Sequence, residues 1–207
     1  MPFVEFDGFR LLFIHIPKAG GSSVETWMRT LGELQFWSPS LIPPALKCTP
    51  QHLRRMEIDQ LFSRNYFDYG FAIVRNPFTR IASEYRMRAM LAQEGAMPFP
   101  EFGPWLEHNL TLARNNSFHL DNHLRPQWQF TGNRTTLMRF EDGLETIIAT
   151  VCKHIGRTPP ETVPHELSSK GLGKAIEWDT SSIVHVAETY RSDFERFSYS
   201  IHEPPPD

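Results

Sequence analysis

The residues best suited to chemistry lie in the turn Pro17-Lys18-Ala19-Gly20-Gly21-Ser22-Ser23, which follows an apolar run, Leu11–Ile14. Apolar residues then recur at helical spacing, at Val24, Trp27, Met28 and Leu31. A strand, a glycine-rich turn and a helix are therefore predicted. The start of such a helix directs backbone N–H groups and the positive end of its dipole towards the mouth of the strand. Because Lys18 adds a full charge and the serines add hydroxyl donors, this pattern predicts a site for a phosphate or sulfate group.

A purely structural interpretation of the same turn remains open. Two glycines allow a tight turn, and Ser22 with Glu25 forms a capping-box pattern that places the helix start at or next to Ser22. The crowding of Lys18 and the serines favours the anion site. The turn is not a Walker A loop, in which the lysine follows the last glycine and the adjacent hydroxyl holds Mg²⁺. Lys18 precedes the glycines, so an ordinary magnesium-dependent ATPase or GTPase is disfavoured.

A second strand-to-helix turn follows the apolar run Phe71–Val74. Arg75 stands at the end of this predicted strand, where open α/β sheets bind their ligands. Asn76-Pro77 is typical of a helix start, with an N-cap and a proline at the first helical position. Ser83 lies well round this helix from its apolar stripe. Arg75 and Ser83 are suited to hold a second anion, the alternative being a surface arginine and a solvated serine.

Composition places limits on the class of protein. With 207 residues and 40% hydrophobic content, the chain is expected to form one domain, 1–207. A net charge of −3 provides no basic field for nucleic acid, so no nucleic-acid partner is expected. Two cysteines make neither a disulfide framework nor a zinc site. No apolar run reaches the ~20 residues of a membrane span and no signal-peptide pattern is present, which predicts a cytoplasmic protein.

The remaining segments are predicted more coarsely. Residues 1–10 read as a lead-in with an edge strand, and four prolines in 38–50 indicate a surface loop. A short helix is expected from Thr49. Its apolar positions are Leu53, Met56 and Leu61.

Later in the chain, further elements are expected. They are a helix with Phe102, Trp105, Leu106 and Leu110 on one face, a strand at Leu137–Phe140, a helix over Glu141–Ile155, and a final helix carrying Ile183, Val186, Ala187, Tyr190, Phe194 and Phe197. His119, Asp121 and His123 do not have the spacing of a known zinc motif, so no metal is predicted.

Two motifs together resemble the family 2 sulfotransferases, which include bacterial members and the heparan and chondroitin O-sulfotransferases. FIHIPKAGGSS at 13–23 is similar to the family's 5′-phosphosulfate loop, and FAIVRNPFTRIASEYR at 71–86 resembles its 3′-phosphate motif. Weaker resemblances extend over nearly the whole chain. They are TPQH at 49–52, Asp121-x-His123 running into Arg125-Pro126-Gln127, RFEDGLE at 139–145 and YRSDFERFSY at 190–199.

The resemblance implies a three-layer α/β fold with a central parallel sheet, like that of the P-loop NTPases. It also implies the donor 3′-phosphoadenosine 5′-phosphosulfate (PAPS), with adenosine 3′,5′-bisphosphate as product. The residues that match the 5′-phosphosulfate loop are Pro17, Lys18, Ala19, Gly20, Gly21, Ser22 and Ser23. Arg75 and Ser83 match the positions that grip the 3′-phosphate.

The reaction implied is transfer of a sulfuryl group to a hydroxyl of a carbohydrate or small molecule. Lys18 would stabilise the leaving phosphate, and His52, which matches a histidine of related carbohydrate sulfotransferases, is the candidate base. His15 is the second candidate, unless it only supports the loop, and His123 is the third. The chain lacks the anchor and stem of the Golgi members, which suggests a soluble, bacterial-type protein.

Two other functions stay open at this point. One is a kinase-like phosphotransferase with a P-loop, and the other is a nucleotide-binding module without catalysis. The sequence names neither the acceptor nor the oligomeric state, although acceptor specificity is expected to lie in 38–50 and 95–130.

Overall fold

The computed structural model describes residues 1–38, 40–92, 98–164 and 176–205. These residues form a mixed α/β structure. Its strands are β1 (Phe3–Phe6), β2 (Phe9–Ile14), β3 (Leu34–Gln35), β4 (Tyr69–Val74) and β5 (Thr136–Arg139). Its helices are α1 (Gly21–Met28), α2 (Arg55–Leu61), α3 (Pro77–Ala92), α4 (Phe102–Asn115), α5 (Leu144–His154), α6 (Thr180–Thr189) and α7 (Arg191–Arg196). None of the helices in these described ranges is long and apolar enough to cross a membrane.

The five strands form one sheet in the order β3-β1-β2-β4-β5. β4 pairs in parallel with β2 on one side and with β5 on the other, as predicted for the centre of the sheet. β1 pairs antiparallel with both β2 and β3, so the sheet is mixed rather than wholly parallel. The three-layer arrangement stays a prediction.

The prediction of an edge strand in residues 1–10 is wrong in one respect. β1 exists, but β3 covers its outer side, so β1 lies inside the sheet. β1 and β2 are joined by Asp7 and Gly8, whose φ angles are +49° and +77°. Positive φ at both positions is the signature of the type I′ hairpin turn, for which Asp-Gly is a favoured sequence. That dipeptide was the available signal for an antiparallel hairpin.

The described residues fall into two compact units, Met1–Arg75 with Gln127–Leu167 and Asn76–Pro126 with Ser168–Asp207. The first unit contains the sheet, with α1 and α5 in contact with each other. Its buried residues include Phe13, Trp27 and Phe71, each at most 2% exposed. A single domain over 1–207 stays a prediction.

The second unit is helical. The side chain of Asn76 caps α3, because Asn76 Oδ1 accepts a hydrogen bond of 2.9 Å from the N–H of Phe78, which confirms the predicted helix start. The predicted apolar faces of α3 and α4 are buried together with residues of the last two helices. This core comprises Phe78, Ile81, Tyr85, Phe102, Trp105, Leu106, Leu110, Leu124, Val186, Tyr190 and Phe194. The predicted final helix is in fact two, divided at Tyr190, whose hydroxyl donates to the carbonyl of Leu124 at 2.9 Å.

The predicted phase of the helix after Thr49 is wrong. Met56 and Leu61 are 55% and 49% exposed, whereas Ile58 is buried. The chain forms only a short 3-10 turn at Pro50–His52, continues through extended backbone, and starts α2 at Arg55. A helical period counted from Thr49 therefore does not carry into α2.

Candidate anion-binding site

The predicted phosphosulfate loop joins β2 to α1, and the helix begins at Gly21, next to Ser22 as expected. Two residues of the loop adopt left-handed backbone, Lys18 at φ +66° and Gly20 at φ +83°. Left-handed backbone is uncommon for a residue with a side chain, so the conformation of Lys18 is one that the surrounding structure has to impose. The side chains of Lys18 and Ser22 are partly exposed, and Ser23 is buried. The loop thus presents a cation beside the positive end of a helix dipole.

A different physical reason requires glycine at each of positions 20 and 21. Gly20 has positive φ, and a Cβ there would lie 2.9 Å from the ring of Phe140. A Cβ on Gly21 would lie only 2.1 Å from Nε2 of His15. Because real Cβ atoms do not come this close to other heavy atoms, the imidazole occupies the space where a side chain would stand. The glycines therefore permit both the turn and the approach of His15.

The capping-box interpretation of Ser22 and Glu25 is wrong. Gly20 is the N-cap of α1 and makes no side-chain capping bond. Glu25 is instead 3% exposed and points into the first unit. Its carboxylate accepts hydrogen bonds from His15 Nδ1 at 2.5 Å, from Gln51 Nε2 at 2.7 Å and from Trp37 Nε1 at 2.9 Å.

These contacts determine the charge of Glu25. Burial by itself raises the pKa of the carboxyl group, because a charged group loses its hydration. The charge and hydrogen bond of His15, with the donors on Gln51 and Trp37, outweigh burial and lower the pKa of Glu25 to about 2. Glu25 is therefore ionised at neutral pH, at the centre of a buried polar cluster.

Arg75 follows β4 and extends to the loop that follows β2. Its Nη1 donates a hydrogen bond of 3.1 Å to the carbonyl of Lys18, and its guanidinium carbon lies 4.5 Å from the ring centroid of Phe140. The fully buried side chain of Gln127 holds the backbone of Arg75 by both its N–H and its carbonyl group. Gln127 Oε1 accepts from the N–H of Arg75 at 2.9 Å and Gln127 Nε2 donates to its carbonyl at 2.8 Å. The structure thus brings together the two basic residues that the sequence singled out.

His52 lies in the 3-10 turn Pro50–His52 and is 6% exposed, so it is a buried histidine. Its Nδ1 lies 3.4 Å from the hydroxyl of Thr49. The ring of His15 stands nearly perpendicular to that of His52, with 5.1 Å between centroids. The two leading candidates for a base are therefore neighbours.

Ser83 and His123 belong to the second unit. Ser83 is 5% exposed, so the alternative of a solvated serine is wrong, but its assignment to a phosphate rests on the sequence motif and stays a prediction. His123 Nδ1 contacts the buried carboxylate of Glu84 at 2.6 Å, and His119 Nε2 contacts Asn109 Oδ1 at 2.9 Å.

Sequence reasoning missed three residues of the first unit that organise the site. They are Gln51, Gln127 and Glu25, the last of which was expected to cap a helix and not to accept buried hydrogen bonds. A signal existed for Glu25. His15 and Glu25 flank the same strand-to-helix turn, which brings the end of a strand close to the first turns of the following helix. Gln51 and Gln127 lie in two of the weaker motif resemblances, but nothing local in the sequence indicates their partners, which lie 26 and 52 residues away.

The contact of Gly21 with His15 leads to a stability prediction. Gly21→Ala should lower the free energy of unfolding by about 1–3 kcal/mol, because the added methyl group displaces the imidazole. The matched control is Gly103→Ala, also in the first turn of a helix, where the Cβ would meet nothing nearer than 3.6 Å. This control should be neutral or stabilising by up to ~1 kcal/mol. Equal losses in denaturant unfolding of the two variants would contradict the described packing.

The low pKa of Glu25 predicts a pH dependence of stability. A carboxyl group whose pKa is lowered on folding contributes stability above its usual pKa near 4.5, and this contribution disappears as the pH falls towards 2. The free energy of unfolding of the wild-type protein should exceed that of Glu25→Gln by on the order of 2–3 kcal/mol at pH 6. This difference should shrink between pH 4.5 and pH 2. Denaturant unfolding at several pH values measures it. A difference that stays constant down to pH 2.5 would show that the charge of Glu25 is not involved.

Comparison with known proteins agrees with the geometry of the two turns. The profile of the Sulfotransferase family matches residues 2–200 of the 207-residue chain. Searches of the curated proteins and of the solved structures gave no significant match. Because the family match extends over nearly the entire length, including both strand-to-helix turns, the chain belongs to the sulfotransferase family.

Proposed function

We propose that this protein transfers the sulfuryl group of PAPS to a hydroxyl of a carbohydrate or small-molecule acceptor. The observation that carries the proposal is the hydrogen bond from Arg75 to the carbonyl of Lys18. It supports a single donor molecule that reaches both basic residues. A nucleotide with a 5′-phosphosulfate and a 3′-phosphate carries one anionic group for each of them.

Each part of the donor is assigned to residues of the chain. The 5′-phosphosulfate is assigned to the loop Pro17–Ser23, where Lys18 supplies charge, the start of α1 supplies N–H groups, and Ser22 and Ser23 supply hydroxyls. The 3′-phosphate, which distinguishes PAPS from ATP, is assigned to Arg75 because a guanidinium can bind it through two parallel hydrogen bonds. Ser83 is assigned to the same phosphate on its motif alone.

The proposed reaction is an in-line displacement at sulfur. The acceptor oxygen forms a bond to sulfur while the bond from sulfur to the phosphate oxygen breaks, and the electron pair leaves on adenosine 3′,5′-bisphosphate. Lys18 and the dipole of α1 stabilise the charge that develops on this oxygen. His52 accepts the proton of the acceptor hydroxyl. His15 is the less suitable base, since its Nδ1 is bound to Glu25 and its Nε2 faces Gly21.

The first test is nucleotide selectivity. Wild-type protein should bind adenosine 3′,5′-bisphosphate at least tenfold more tightly than adenosine 5′-monophosphate, as measured by titration calorimetry. Arg75→Ala should remove most of this preference, because the lost charge-assisted hydrogen bonds are worth roughly 1.5–3 kcal/mol. Arg10→Ala, which removes a cation paired with Glu5 on the surface, is the matched control and should change neither affinity.

Other results would favour the competing functions. Tighter binding of ATP with Mg²⁺ than of the bisphosphate, with little effect of Arg75→Ala, would indicate a kinase-like phosphotransferase. Binding of the bisphosphate without sulfuryl transfer to any member of a broad acceptor panel would indicate a nucleotide-binding module.

The second test concerns the base. His52→Ala should lower kcat by ~10²–10⁴-fold and leave the affinity for the bisphosphate within about twofold, since general-base catalysis acts on the transition state. His154→Ala, which removes an exposed histidine of α5, is the control and should keep full activity. Unchanged kcat of His52→Ala across the pH range would refute the assignment.

A further inference from the structure

The buried carboxylate of Glu25 links three separate segments of the first unit. His15 follows β2, Gln51 lies in the 3-10 turn Pro50–His52, and Trp37 lies beyond β3. All three donate to Glu25 at distances of 2.5 to 2.9 Å. A buried ion pair is weak evidence for stability, because desolvation offsets the attraction between the charges. This cluster is therefore better explained by the positions that it imposes on its members.

One branch of the cluster leads to the phosphosulfate loop. Glu25 holds the imidazole of His15 by its Nδ1, and the opposite ring nitrogen, Nε2, stands where a side chain of Gly21 would be. Gly21 is the first residue of α1, whose N-terminus is assigned to the sulfuryl donor. A shift of His15 would therefore change the position of the loop.

The other branch leads to the proposed base. Gln51 immediately precedes His52, and its side-chain Nε2 donates a hydrogen bond of 2.7 Å to Glu25. The ring of His15 packs edge-on against the ring of His52, at 5.1 Å between centroids. The same carboxylate is thus connected to His52 through the chain and through a ring contact.

We propose that Glu25 is a positioning residue. It holds the phosphosulfate loop and His52 at fixed positions relative to each other, through His15 on one side and Gln51 on the other. This inference rests on the proposed function and extends it to residues that do not touch the donor. Transfer requires the acceptor oxygen, its base and the sulfur to be aligned, and a misplacement of about 1 Å can cost ~10²-fold in rate.

The principal experiment compares Glu25→Gln with Glu57→Gln. Glu57 is a half-buried carboxylate of the first unit that is paired with Arg54, whereas Glu25 is fully buried. Both variants are assayed well below their melting temperatures, by kcat for transfer and by calorimetric affinity for adenosine 3′,5′-bisphosphate. Glu25→Gln should lower kcat by roughly 10²-fold and weaken bisphosphate binding by roughly tenfold. Glu57→Gln should stay within about twofold of wild type in both measurements.

Two further variants separate the branches and keep the proposal testable if Glu25→Gln folds poorly. His15→Asn should weaken bisphosphate binding, because it releases the loop. Gln51→Leu should lower kcat by more than tenfold and weaken bisphosphate binding less than His15→Asn does. It removes the bond from the His52 segment to Glu25 and the 3.1 Å contact of Gln51 Nε2 with His15 Nδ1, but it keeps the bond from His15 to Glu25. A purely stabilising cluster would lower the melting temperature of these variants without this division between affinity and turnover.

The outcomes distinguish the two levels of inference. If wild-type protein does not bind the bisphosphate, the proposed function fails, and the positioning role fails with it. If wild-type protein binds and transfers, but folded Glu25→Gln retains wild-type kcat and affinity, only the positioning role is overturned. The same holds if His15→Asn and Gln51→Leu change affinity and kcat to the same extent.

Discussion

The parallel pairing of β2 with β4 is the constraint on which the site depends. Parallel neighbours end at the same edge of a sheet, so the turns that follow them emerge side by side. Leu11 to Ile14 align with Tyr69 to Ala72, and the loop with Lys18 therefore lies next to Arg75. The hydrogen bond between these two residues is a direct consequence of this register. An antiparallel pair would have sent the two turns to opposite edges.

Neighbouring side chains then reduce the freedom of the two turns. Gln127 binds both backbone groups of Arg75 and is itself fully buried, so the arginine has a defined origin. The ring of Phe140 contacts the guanidinium of Arg75 and also stands against Gly20. One aromatic side chain thus contacts both turns. Such shared contacts favour a rigid site, which suits chemistry that depends on alignment.

Three hydrogen-bond donors of the first unit, on His15, Gln51 and Trp37, are arranged round the negative charge of Glu25. A carboxylate removed from water costs several kcal/mol unless it is paired and hydrogen-bonded, and Glu25 has donors for both of its oxygens. A cluster with this many satisfied partners has few alternative arrangements. The glycine at position 21 belongs to the same arrangement, because only a residue without a side chain leaves room for the imidazole of His15.

The sequence alone determined the local features of the site. Apolar periodicity, Gly20-Gly21 and Asn76-Pro77 located two strand-to-helix turns, since these signals depend on residues within a few positions of each other. The two motifs resemble those of the family, and Lys18 and Arg75 stand out because a charge at a helix start or at a strand end is a local feature of the sequence. Only the tertiary structure decided that Glu25 is a buried hydrogen-bond acceptor rather than a cap, and that Gln51 and Gln127 are part of the site. It also decided that α2 begins only at Arg55, which leaves Met56 exposed. These outcomes depend on partners distant in the chain, and contacts between distant segments leave no periodic trace in a single sequence.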